Sequence, residues 1–211
     1  MGRLILIDND ALLKLARYGL LNEAVALFDC FPRDLRVLAT AKYSLLPAKN
    51  RLRLCEDEES AARLEAFLRT SNPLEAGSAD PELLDTLNAV QNIDAGESLL
   101  LAVGASNRDA LVITGDKRSL AALCSDDSVA HVSRALAGRV VSLEVLFIHL
   151  AEHQFAHVQE CVRSKPDVDK ALSFAFGVTT PTPSELVQEA LTSYVRQLRD
   201  ITGTLLYAPL D

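Results

Sequence analysis

Arg3-Leu4-Ile5-Leu6-Ile7-Asp8-Asn9-Asp10-Ala11-Leu12-Leu13 is the stretch on which the fold turns. Its first half is continuously apolar rather than alternating, the pattern of a short strand buried on both faces of a parallel sheet. Asp8 ends the run. Leu12, Leu13, Leu15, Ala16 and Leu20 then recur at helical spacing, and Gly19 marks a break after Tyr18. The opening unit is a strand that hands over to a helix at an aspartate.

The same unit recurs along the chain. A second helical piece runs from Leu21 to Phe28 and stops before Pro32. Arg36-Val37-Leu38-Ala39 reads as a second strand, with Thr40 placed to cap a helix reaching Pro47. Glu58 to Arg69 is amphipathic through Ala62, Leu64, Phe67 and Leu68, and Ser71 to Ala79 reads as a loop from its Ser, Asn, Pro and Gly content. Asp80 caps a helix with Pro81 at its first position. Asp94-Ala95-Gly96-Glu97 opens another, Ala110 to Thr114 is a buried-type strand, and Gly115-Asp116 leads into a helix to Cys124. Arg139 to Ser142 is a fourth strand, followed by a helix from Leu143. Repeated crossovers of this kind require a mainly parallel sheet with helices on both faces. The expectation is an α/β domain over residues 1–152 and a helical C-terminal extension over residues 153–211. In that extension His153 to Arg163 reads as helical, Thr179 to Pro183 as a linker, and Ser184 as the cap of a last helix ending near Ile201.

Composition sets the class. Of 211 residues, 49% are hydrophobic and 24% charged, the balance of an ordinary globule with enough apolar surface for one good core. The apolar run before Asp8 is shorter than the roughly 7–15 residues of a signal-peptide core. Val140 to Ala151 carries Glu144 and His149 and falls short of the roughly 20 residues of a membrane span. A cytoplasmic protein without membrane contact is therefore expected. Cys30, Cys55, Cys124 and Cys161 show no paired spacing, which excludes a zinc ribbon or a disulfide framework and leaves reduced thiols. The net charge of −8 opposes bulk attraction to nucleic acid. Locally the balance reverses: Arg33, Arg36, Lys42, Lys49, Arg51 and Arg53 face a single acid, Asp34, and Glu56 to Glu59 follow at once. Such a stripe can track a phosphate backbone or simply be a solvated face.

Asp8, Asp10, Asp94, Glu97 and Asp116 each have a structural role open to them. Aspartate is a preferred N-cap, and Asp94 with Glu97 has the spacing of a capping box. Their positions add a second meaning. Asp8 and Asp116 both lie at carboxyl ends of parallel strands, the edge where ligand crevices form in open α/β sheets. Glu97 starts the helix leading into the Asp116 strand and can lean over the same edge. Two carboxylates 4 Å apart repel by about 4 kcal/mol at intermediate dielectric. Protons or a hard divalent cation, which prefers oxygen donors, would relieve that repulsion.

Leu4 to Leu13, Asp94 to Ala102 and Leu111 to Arg118, closed by Gly138 to Leu146, resemble the PIN-domain family of metal-dependent nucleases over about residues 3–150. The resemblance implies Mg²⁺ or Mn²⁺ held by Asp8, Glu97 and Asp116 with Asp10 close by. It implies hydrolysis of phosphodiester bonds, most often in RNA, at a site where Lys117 or Arg118 can steady a phosphate oxygen; Lys49, Arg51 and Arg53 of the basic stripe are the candidates to follow the strand on charge alone. Many members are the toxin half of a toxin–antitoxin pair, which makes a protein antitoxin a candidate partner. Members usually carry another acid in the helix after the second strand. Here Thr40 to Leu46 contains none, and Lys42 and Tyr43 stand in its neighbourhood.

Three other readings compete. A PIN-like fold short of one acid can serve as a binding scaffold. Asp8-Asn9-Asp10 also has the D-x-D form of haloacid-dehalogenase-type phosphatases, but Leu120 stands where a later acid belongs. His149, His153 and His157 recur every fourth residue and would line one helix face, yet they lack the order of a zinc-protease motif. Finally, Leu186, Val187, Ala190, Leu191, Tyr194, Val195 and Leu198 form an apolar stripe that a second copy of the chain could cover in a homodimer.

Overall fold

The computed structural model describes residues 3–208. Five strands form one wholly parallel sheet: β1 (Ile5–Ile7), β2 (Leu35–Leu38), β3 (Asn72–Leu74), β4 (Leu111–Thr114) and β5 (Val140–Ser142), in the order β3-β2-β1-β4-β5. Ile5 pairs with Leu35 on one side and Leu111 on the other, so β1 is the central strand. All three of its residues are buried, as the unbroken apolar run requires.

Helices α1 (Asn9–Tyr18) and α2 (Leu21–Ala26) join β1 to β2, and α3 (Ala41–Leu45) and α4 (Glu58–Thr70) join β2 to β3. The chain then crosses back over β1 through α5 (Pro81–Asn88) and α6 (Ala95–Ser106) to reach β4, and α7 (Lys117–Ser125) and α8 (Ala130–Ala135) lead to β5. Strand order thus reverses between β1 and β4. Gly104 brings α6 onto one face, where an added Cβ would come 2.6 Å from Val112 and 3.6 Å from Leu6. Helices α1 and α9 (Leu143–Ser164) cover the opposite face.

Strand β3 falls where the sequence reads as loop. It has three residues, includes Pro73, and exists by pairing with the free side of β2 at the sheet margin. That is where a residue without an N–H is tolerated.

The C-terminal helices share one core with the sheet. The expected boundary at 152/153 lies inside α9, whose one non-helical residue is Gln154 (φ −145°, ψ 54°). Phe147 of α9 makes edge-on contacts with Tyr18 of α1 (5.6 Å) and with Phe176 of α10 (Lys170–Phe176; 6.3 Å). Helix α11 (Ser184–Thr202) starts after Pro183, so Ser184 is its first residue rather than its cap. Its apolar stripe is covered within the chain: Val187, Leu191, Val195 and Leu198 are buried, with α9 and α7 packed against the helix. The chain's own helices therefore cover most of the stripe expected to meet a second copy, and Leu186 of it stays 53% exposed. Beyond α11, Leu206 bridges to Val140 and the Tyr207 N–H donates to the Val140 carbonyl (2.7 Å), which covers the β5 edge. Among the described residues no helix is long and apolar enough to cross a membrane.

Candidate active site at the carboxyl edge

Parallel strands and right-handed crossovers bring several helix N-termini to one edge. Helices α1, α6, α7 and α9 all begin at the carboxyl ends of the strands, and each brings unpaired amides. Asp8, Asp94 with Glu97, Asp116 and Ser142 are the residues that meet them.

Asp8 is 4% exposed and fully engaged. Its Oδ1 accepts from the Ala11 N–H (2.6 Å), while Oδ2 accepts from the Thr114 hydroxyl and the Gly115 N–H (3.0 Å). Burial raises its pKa to about 6, against the opposing pull of these hydrogen bonds, and the charge of Asp10 adds to the rise.

Glu97 and Asp94 form the capping box expected from their spacing: Glu97 Oε2 accepts from the Asp94 N–H and Asp94 Oδ1 from the Glu97 N–H, both at 2.8 Å. Gly96 lets this turn press on the end of β2, since a Cβ there would come 2.7 Å from Leu38 Cδ1. Glu97 is half-buried, and burial first, then the charges of Asp94, Asp116 and Asp8, raise its pKa to about 7. Asp8 and Glu97 line a common cavity of about 10 Å³ with Thr114 and Ser119, room for about one water.

Asp116 caps α7, with Oδ1 accepting from the N–H groups of Arg118 (2.7 Å) and Ser119 (3.1 Å). The Thr114 hydroxyl accepts from the Asp116 N–H (3.1 Å) while donating to Asp8, so one side chain orients both acids. Asp10 lies over Gly115, where a Cβ would sit 2.1 Å from its Oδ2. It pairs with Lys14 (2.8 Å), which also reaches Asp169 (3.0 Å).

The sequence-predicted acids therefore come to one edge, Asp8, Glu97 and Asp116 in capping bonds and Asp10 in an ion pair with Lys14. Among the described residues no three His, Cys, Asp or Glu side chains stand in a ready metal-holding group. The donors present are all carboxylate oxygens, the chemistry Mg²⁺ and Mn²⁺ prefer. Only Oε2 of Glu97 and Oδ1 of Asp116 accept the capping amides, which leaves each acid a second oxygen for another ligand.

The basic residues divide. Lys117 is drawn into an ion pair with Glu144, and Arg51 is held by Glu58 and by Glu65 (2.9 Å). Lys49 and Arg53 are exposed. Arg118 lines an open groove of about 620 Å³ between the turn around Asn92 and α7, together with Asp126 and Asp127. Thr114 and Glu144 escape sequence reasoning. Glu144 is 3% exposed, follows β5 at the same edge, and has one oxygen without a protein donor. The buried charge that marks it has no counterpart in the apolar pattern around it.

No protein-family model, curated protein or solved structure matches the chain.

Proposed function

We propose that the chain is a metal-dependent nuclease that cuts RNA at the carboxyl edge of its sheet. One observation supports this above the rest. Strand order reverses between β1 and β4, and Asp8 and Asp116 end those two strands. A crevice opens at such a reversal in open α/β sheets. Glu97 shares a cavity with Asp8 there and carries a pKa near neutrality, because burial and the neighbouring carboxylates oppose its charge.

Mg²⁺ or Mn²⁺ held by Asp8, Glu97 and Asp116, with Asp10 beside them, supplies positive charge for a phosphate and acidifies water. Thr114 keeps Asp8 and Asp116 in register. Glu97 can hold or release a proton at its free oxygen near neutral pH. Arg118, on the groove wall, binds backbone phosphate. In this reading RNA is the substrate, and a protein antitoxin is the controlling partner of a toxin.

A second reading draws on the capping bonds. Asp8, Glu97 and Asp116 already satisfy backbone amides, and a scaffold that binds without cutting needs nothing more. Incubation of labelled RNA with Mn²⁺ separates the two. The nuclease cleaves, and Glu97→Gln lowers the rate by about 100-fold or more, as loss of one catalytic group does. A scaffold leaves the RNA intact in both proteins.

A further inference from the structure

Helices α9 and α11 pack against each other and leave a cleft of about 250 Å³ between them. That is slightly below the range of about 300–1,000 Å³ for drug-sized ligands, so the cleft suits a smaller one. Val145, Ile148 and Val195 form its apolar wall. Its polar wall comes mainly from one face of α11, where Gln188, Thr192, Arg196 and Arg199 recur three or four residues apart.

The two arginines decide what the cleft can hold. Among the described residues neither Arg196 nor Arg199 stands in an ion pair. Arg199 donates from Nη2 to the Tyr207 carbonyl (3.3 Å), which steadies the guanidinium and engages one of its five N–H groups. Arg196 is exposed and Arg199 half-buried, so both are open to a ligand. Glu152 is the one acid of the lining, and its Oε2 lies 3.0 Å from His149 Nδ1. Two arginines and one glutamate give the lining a charge of +1 before His149 is counted, on a chain whose net charge is −8. Arginine holds its charge at every working pH, so no titration enters.

The planar fork of a guanidinium matches the oxygens of a phosphate or a carboxylate. One carboxylate is satisfied by one fork. Two forks with the Thr192 hydroxyl instead match the double charge and three terminal oxygens of a phosphomonoester.

The geometry points to a ligand site between α9 and α11 for a small phosphomonoester dianion. Arg196 and Arg199 bind its phosphate, and Val145, Ile148 and Val195 meet its organic part. The site shares no residue with the acidic edge and does not rest on the nuclease reading.

Phenyl phosphate and benzoate carry the same ring and differ in the anionic group. Calorimetric titration of the metal-free full chain with each, at about pH 8 where the phosphomonoester is a dianion, tests the site. Chemical-shift mapping at Ile148 and Thr192 locates the binding. Phenyl phosphate is expected to bind saturably, with a Kd of about 1 mM or tighter, and benzoate about tenfold more weakly or not at all. Arg196→Gln, at an exposed position, is expected to weaken phenyl phosphate by about tenfold or more, the loss of charge-assisted hydrogen bonds. Thr192→Trp, also at an exposed position, fills the cleft and should abolish binding. No binding of phenyl phosphate, equal binding of benzoate, or binding indifferent to both variants overturns the proposal. A 5′-phosphorylated RNA carries the same dianion; its binding at Ile148 and Thr192 without that of phenyl phosphate would overturn the small-molecule source.

Discussion

The Thr114 hydroxyl donates to Asp8 Oδ2 across the β1–β4 boundary, joining residues 106 positions apart at the point where strand order reverses. The same hydroxyl accepts from the Asp116 N–H. Thr114→Val keeps the shape and removes both interactions. It should cost about 1–3 kcal/mol, the penalty for stranding buried polar groups. Urea denaturation measures the loss, and Thr114→Ser, which keeps the hydroxyl, should recover most of it.

The pH dependence of stability follows from the raised pKa values of Asp8 (about 6) and Glu97 (about 7). Between the unfolded and folded values the native state binds more protons than the unfolded chain. Their contribution to stability is therefore full below about pH 4 and is lost as pH rises toward pH 7. For Asp8 the loss is on the order of 3 kcal/mol. Asp8→Asn should flatten that part of the profile in denaturation curves across the window. In the proposed metal-dependent reading Mn²⁺ binds only the ionised acids and should raise the melting temperature more at pH 8 than at pH 5; an equal effect at both would remove these acids from the proposed cation site.

Gly96 and Gly115 position the acids by being small. A Cβ at Gly96 meets Leu38 and one at Gly115 meets Asp10. Gly96→Ala should push the start of α6 outward, cost about 1–3 kcal/mol and carry Glu97 away from Asp8. The expected result is a folded protein by circular dichroism with the proposed RNA cleavage reduced alongside stability. Unchanged activity would mean that the seating of α6 does not set the site.

Because Phe176 sits fully buried against Phe147, the helical C-terminal part should not be removable. Phe176→Ala should destabilise the whole chain by about 3–5 kcal/mol in one cooperative transition. Two separate transitions in calorimetry would instead show an independent unit after Gln154.

The apolar runs before Asp8 and Asp116 were readable because a strand buried on both faces admits no polar alternation, and a polar residue can only end it. The caps Asp80, Asp94 with Glu97, and Asp116 were readable because capping is local. What escaped depends on distant partners. Strand β3 is created by the free side of β2, not by Asn72-Pro73-Leu74. The pair of buried Glu144 with exposed Lys117 joins the starts of two helices on neighbouring strands. The α11 stripe looked like a dimer face because sequence shows that an apolar face exists, while α9 decides what covers it. Gln154 breaks the register that the three histidines would otherwise share.

Diffraction from crystals soaked in excess Mn²⁺ at about pH 8, recorded for anomalous signal, tests the metal site most directly. The expected map has a peak among Asp8, Glu97 and Asp116, with carboxylate oxygens at about 2.1 Å, the distance of hard divalent cations. An edge without a peak, its acids still held by their hydrogen bonds within the chain, would contradict the nuclease assignment and leave a scaffold.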